Sequence, residues 1–405
     1  MRSRTSVAFL AGLLAAGITA HAAPLSPKAQ LGRKLFFDTG LSASGRQSCA
    51  SCHDPANHYA PSNDLPVQPG GAHMDRLGFR ATPSLTYIDQ IPRFNADLEN
   101  PDGSASGPAG GQDWDGRSSS IADQALRVLT TRYEMANRNE DALIRRVRAR
   151  PDLATAYRQT FGPDIFDEPH DAFRATGSAL EAFILEDPSF HPYTSKYDFY
   201  SRGLVSLTPQ ETRGMAIFND TERANCVQCH TAGLGPARGG GTTSGQFSDF
   251  FLRNLGTPRN PAIDYRDIGG RDLGLCGPLR TDLSPTKSAN NIRYCGMFAT
   301  STLRNTATRK VFFHNGVFRS LRDVIEFYIT RDITPRRWFH AHDGDLPYDD
   351  LPPDIRRNVD RADMPFAAQH PGARPVIAEH QVDDLVAFLK TLTDGYDPKT
   401  GKTAP

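Results

Sequence analysis

The chain has 405 residues with 46 basic and 46 acidic side chains, a balance that excludes a polyelectrolyte surface of the nucleic-acid-binding kind. Its length allows two or three domains. With 34 glycines and 30 prolines, short helices joined by long ordered loops are expected rather than a bundle of long helices.

Arg2 and Arg4 precede an apolar run over residues 7–18, and Ala20-His21-Ala22 follows. That order is the signature of a secretory signal peptide over residues 1–22, cleaved after Ala22, so a periplasmic location is expected. No later segment is apolar enough to cross a bilayer. Ser26 then Pro27 open the first helix as N-cap and first helical residue, and Thr208 with Pro209 open another in the same way. Each helix leads to a Cys-x-x-Cys-His pentapeptide, Cys49 to His53 and Cys226 to His230. A thioredoxin-like pair needs no following histidine. A zinc site needs two pairs close enough to share one metal, and these lie far apart, each with its own histidine. Two covalent c-type haems fit, with thioethers at Cys49, Cys52, Cys226 and Cys229 and with His53 and His230 as proximal iron ligands. The remaining cysteines, Cys276 and Cys295, are expected to pair as a structural disulfide in an oxidising compartment.

The pentapeptides belong to a longer internal repeat. Residues 25–38 lie over 207–220, "ATPSLT" (81–86) over "ATSTLR" (299–304), "WDGRSSSIADQALRV" (114–128) over "HNGVFRSLRDVIEFY" (314–328), and "ALEAFIL" (179–185) over "DLVAFLK" (384–390). Val382, Leu385, Val386, Leu389 and Leu392 give that last element the apolar face of an amphipathic helix. The fold class predicted is mainly α: two cytochrome-c-like helical domains, 23–200 and 201–405, each with one haem. The repeat sets Tyr328 against Val128, and a tyrosine oxygen can ligate ferric iron where valine cannot. Met297 is a rival ligand for the second haem, and spacing alone does not decide between them. Extended without gaps, the repeat sets Thr334 against Glu134.

The stretches "KLFFDTGLSASGRQSCASCHDP", "DWDGRSSSIADQAL", "RYEMAN" and "TSTLRNTATRKVFFHNGVFRSL", with the second haem motif, resemble the bacterial dihaem cytochrome c peroxidase superfamily and its MauG-like branch. The resemblance implies two haem domains facing a cleft, a peroxide-reactive N-terminal haem and an electron-handling C-terminal one. It implies Trp114 as the bridge between them, Glu134 as the distal acid–base, Gln124 in the distal pocket and Arg117 as a residue fixing the site. It favours Tyr328 as sixth ligand, because MauG has tyrosine where conventional peroxidases have methionine. His73 falls near the family's gating histidine for the first haem, in a loop that otherwise matches poorly. Ala81 stands at the asparagine of the family's calcium site, with Ala299 and Ser301 where Thr and Pro are usual, which counts against calcium. Val128 replaces a usual proline of the distal pocket.

The function implied is an exported dihaem enzyme that uses hydrogen peroxide to reach a high-valent state and oxidises a target such as a protein side chain. Trp338, the only other tryptophan, is a relay candidate, though its setting reads as a packed aromatic. The alternative within enzymes is a cytochrome c peroxidase fed by a small cytochrome c or a cupredoxin. A dihaem electron carrier without catalysis is the reading from a different class.

Overall fold

A computed structural model describes residues 23–99, 106–232, 235–236, 242–243, 245–340 and 347–404; the signal peptide expected over residues 1–22 lies outside them. Among the described residues the regular structure is mainly helical. The helices are α1 (Pro27–Phe36), α2 (Cys49–Cys52), α3 (Ile121–Thr130), α4 (Glu140–Arg148), α5 (Pro151–Phe161) and α6 (Pro169–Glu186) in the first half. The second half has α7 (Lys196–Ser201), α8 (Pro209–Phe218), α9 (Cys226–Cys229), α10 (Leu321–Thr330), α11 (Pro335–Trp338) and α12 (Glu379–Lys390), with α7 beginning just before residue 200. Among the described residues, strands occur only as two-stranded antiparallel ribbons. None of these helices is long and apolar enough to cross a membrane.

Local chemistry starts the repeated helices in the same way. Ser26 Oγ accepts from Ala29 N–H at the head of α1, and Thr208 Oγ1 accepts from Glu211 N–H at the head of α8. Glu211 returns a bond to Thr208 N–H, a capping box, and takes an ion pair from Lys196. Ser120 caps α3 and Ser320 caps α10, each accepting from the aspartate three residues on.

The first and last of each set then cross at close range. A Cβ on Gly32 of α1 would stand 1.9 Å from the Ala179 carbonyl oxygen of α6, and one on Gly214 of α8 would stand 2.0 Å from that of Asp384 of α12. Both would also meet a phenylalanine Cβ at 2.8 Å, Phe183 and Phe388 respectively. These pairs are equivalent under the repeat read from sequence. The aromatic wedge beside each crossing is repeated too. Phe36 packs edge-on to Phe183 (5.5 Å) and Phe190 (6.0 Å), and Phe218 meets Phe388 (5.2 Å) and Phe247 (6.0 Å). Each fully buried ring of this kind contributes roughly 1.5–3 kcal/mol.

The second half carries more than the repeat. Leu252, Leu275, Phe312, Phe318, Phe327, Trp338, Tyr348 and Val359 form a separate core over loop-rich chain. Cys276 and Cys295 are disulfide-bonded inside it, with Cα atoms 4.8 Å apart, which adds about 3 kcal/mol by restricting the unfolded chain. Trp338 is a core residue, edge-on to Phe318 and Phe327, its Nε1–H donating to Thr330 Oγ1 at 3.1 Å.

Gly214→Ala has no space for its methyl without parting α8 from α12. Even after a helix-propensity gain of about 1 kcal/mol, a net loss of roughly 2 kcal/mol is expected, read as a lower denaturant midpoint with unchanged m-value.

Candidate active site

Each pentapeptide is one helical turn that sets two thiols on the same face, with the histidine at its C-terminal end. His53 Nδ1 lies 3.1 Å from the Tyr59 carbonyl, and His230 Nδ1 lies 2.9 Å from the Phe247 carbonyl. A carbonyl only accepts, so Nδ1 carries the proton in both rings and Nε2 keeps its lone pair. Burial pulls the His53 imidazole down to about 4, despite the Tyr59 carbonyl, and lowers His230 as well. Both rings are therefore neutral, the form that ligates iron. Burial pushes the thiols up, Cys49, Cys226 and Cys229 to about 12 and Cys52 to about 11. They are not the low-pKa thiolates of a redox pair.

One cavity of about 460 Å³ runs past both pentapeptides, and Trp114 lies on its wall. The indole Nε1–H donates to the Ala81 carbonyl at 2.8 Å, and the Trp114 carbonyl accepts from Ala299 N–H at 2.8 Å. Ala81 N–H in turn donates to the His314 carbonyl at 2.6 Å. Trp114 is thus tied to the loop after the first pentapeptide and to the equivalent loop after the second. Arg117 braces the same turn through Asp115 (3.0 Å) and Asp113 (3.2 Å). The methyl side chain of Ala81 offers no ligand atom to a cation, and its carbonyl is engaged by the indole.

Gln124, Val128 and Glu134 line the first half of the cavity. Beyond α3 the chain folds back, with Met135 N–H donating to Val128 O and Ala136 N–H to Thr131 O, and this turn carries Glu134 to the wall. Burial raises its carboxyl to about 7, with Asp113 adding to the shift and Arg117 opposing it. Its negative charge reaches Cys52, whose thiol it helps to raise. The ribbon Pro69–Gly70 with Arg76–Leu77 holds this turn from outside. Gly71 N–H donates to the Glu134 carbonyl at 2.8 Å, and a Cβ on Gly70 would stand 2.3 Å from the Tyr133 carbonyl oxygen. His73 sits at the ribbon's tip, exposed and off the cavity wall, because the ribbon's base rather than its tip packs against the site.

Tyr328 lines the second half of the cavity. Its ring is stacked between Phe313 (6.0 Å) and Phe366 (5.7 Å), and its phenol is held protonated by burial and by the neighbouring thiols of Cys229 and Cys226. Met297 is not among the wall residues: its carbonyl accepts from Leu275 N–H and it packs in the loop-rich core. The wall also holds residues that sequence reading did not single out, Arg253, Arg309, Phe313 and Met364. No periodicity marks them, since Arg309, Phe313 and Met364 come from irregular chain and Arg253 from a two-residue strand.

A family model for di-haem cytochrome c peroxidase matches residues 26–206. The methylamine utilization protein MauG of Paracoccus denitrificans is 33% identical over 95% of this chain and 93% of its own. Among solved structures, the diheme peroxidase BthA of Burkholderia thailandensis superposes with a TM-score of 0.80 at 35% identity, covering 95% of this chain and 92% of that one. The chain belongs to the di-haem cytochrome c peroxidase family. It is a haem-dependent oxidoreductase of two haems, and the peroxidase side of the family is represented by the cytochrome c551 peroxidase of Nitrosomonas europaea, 26% identical over 80% of this chain and 82% of its own. The neutral imidazoles, the protonated thiol pairs and the cavity shared between them fit such a cofactor set.

Trp114→Phe keeps the ring but leaves the Ala81 carbonyl without its donor. A loss of about 1–2 kcal/mol in unfolding free energy is expected, measured by chemical denaturation.

Proposed function

We propose that this chain is an exported, MauG-like enzyme that uses hydrogen peroxide to oxidise a target, with a protein side chain as the substrate class. Two domains, 23–200 and 201–405, would each carry one covalent c-type haem. Cys49, Cys52 and His53 would hold the first, and Cys226, Cys229, His230 and Tyr328 the second. The observation that carries the reading is the place of Tyr328: its phenol is on the cavity wall beside the second thiol pair, and Met297 is not. Burial keeps a free phenol protonated there, so only a bound cation would draw the proton off. An oxygen ligand favours oxidised iron, whereas a thioether raises the potential. This suits a site that stores oxidising equivalents rather than one that accepts electrons from a donor protein.

When bound, the haems supply the redox chemistry, and the chain supplies proton handling and position. Glu134, poised near neutrality, takes a proton from peroxide entering the first half of the cavity and returns it to the departing oxygen, which leaves as water. Gln124 and Val128 shape the space beside it. Trp114, fixed at its indole and its carbonyl, joins the two halves of the site. Because charge passes through the protein, the target is oxidised without entering the cavity.

Glu134→Gln should slow the reaction with peroxide by about 10²–10⁴-fold and remove an inflection near pH 7 from the rate profile, followed by stopped-flow absorbance. Tyr328→Phe should change the spectrum of one haem only and abolish the long-lived oxidised product of peroxide addition. Unchanged ligation and an unchanged product in that variant would sink the MauG-like reading. Fast steady-state turnover with reduced cytochrome c or cupredoxin would return the chain to the conventional peroxidases, and two haems inert to peroxide would make it an electron carrier.

A further inference from the structure

Five arginines line the cavity, Arg80, Arg117, Arg253, Arg304 and Arg309. Four are neutralised by protein carboxylates. Arg80 pairs with Asp115 (2.8 Å) and Asp272 (2.6 Å), and Arg117 with Asp115 and Asp113. Arg253 pairs with Asp249 (2.5 Å), and Arg304 with Asp198 (2.9 Å). Arg309 differs. Its Nη2 donates to the Thr82 carbonyl at 2.8 Å and its Nε to the Val311 carbonyl at 3.4 Å, and among the described residues no carboxylate pairs with it. Burial without a counter-ion pulls even this guanidinium down to about 10.

A buried guanidinium that faces a cavity and lacks an anion is costly in isolation, and its fork of donors matches a carboxylate. Each haem brings two propionate carboxylates into a cavity whose other arginines are already paired. The position of Arg309 chooses between the two haems. Thr82, to which it is bonded, lies in the loop that follows the first pentapeptide. We propose that Arg309, supplied by the second half of the chain, is the counter-ion of a propionate on the haem held by Cys49, Cys52 and His53. It is a positioning residue that ties the first haem to the opposite half of the molecule.

The inference rests on haem filling the cavity and not on the peroxide reaction, so it stands or falls separately from the MauG-like reading. A chain without haem would lack haem absorption altogether. The test is spectroelectrochemical titration of the dihaem protein across the pH range. In R309Q, with two haems still bound, the midpoint potential of one haem should fall, because a positive charge beside it favours the reduced state. That same midpoint should gain a pH-dependent step around neutrality, as the unpaired propionate takes up a proton. R309K should stay near wild type. Wild-type midpoints and pH dependence in R309Q would overturn the proposal, as would a shift confined to the haem whose spectrum responds to Y328F. If R309Q does not accumulate, R309H decides: its affected midpoint should fall as the imidazole loses its charge with rising pH, and a pH-independent pair of midpoints would overturn the proposal.

Discussion

Two helix crossings made backbone to backbone set the frame on which everything else in this molecule is placed. At Gly32 against Ala179, and at Gly214 against Asp384, the absence of a side chain lets the first and last helices of each repeat touch. At that separation the aromatic residue one turn on, Phe36 or Phe218, has no route but into the space between its helix and the next loop. There it packs against Phe183 or Phe388. The segment leaving each first helix is thereby fixed in direction, and the pentapeptide a short loop later meets the cavity with its histidine backed by a carbonyl. A larger residue at either glycine would change the angle of a helix and, through it, the position of two thiols and an imidazole.

The same frame is lined differently in its two halves. In the first, the chain after α3 turns back on itself and carries a carboxyl to the wall, where burial keeps it near its midpoint at neutral pH. In the second, the position that the repeat sets against Glu134 is Thr334, exposed at the head of α11 and off the wall. The wall beside the second thiol pair carries the aromatic side chains of Phe313, Tyr328 and Phe366, with its carboxylates, Asp360 and Asp363, supplied by the loop before Phe366. The extra core around the disulfide supports this difference: Phe327, the neighbour of Tyr328, points into it and packs on Trp338. One face of α10 thus belongs to the loop-rich core and the adjoining face to the cavity, which fixes the rotation of the helix and with it the direction of the phenol.

Much of this was legible in the sequence, because it rests on features that sequence carries locally. The Ser-Pro and Thr-Pro helix starts, the pentapeptides, the glycine and phenylalanine spacing and the apolar face of α12 recur at matched offsets, and the structure reproduces the match residue by residue. What was not legible depends on where irregular chain runs. Tyr328 and Met297 were equal candidates by spacing, the resemblance favoured Tyr328, and the path of the loop-rich core leaves only Tyr328 on the cavity wall. His73 was near the right place in sequence and is held outward by its ribbon. Arg309, next to Lys310, carries no local sequence signal, and its meaning comes from the carboxylates that pair with every other arginine on the wall but not with it.

The join between the halves shows how little side chain is needed where backbone geometry is fixed. Ala81 contributes only a methyl group, yet its N–H reaches His314 and its carbonyl holds the Trp114 indole, while Trp114 itself receives Ala299. Next to it Arg80 joins Asp115, on the first half, to Asp272, on the second, in a fully enclosed ion pair. Breaking one partner of such a pair strands a buried charge, and further side chains cross beside it, with Tyr87 donating to Asp394 and Arg280 to the Asp115 and Gly116 carbonyls, so the halves resist sliding. The indole therefore keeps its distance from both pentapeptides, and the bridging role proposed for Trp114 would benefit from such fixity more than from any particular contact.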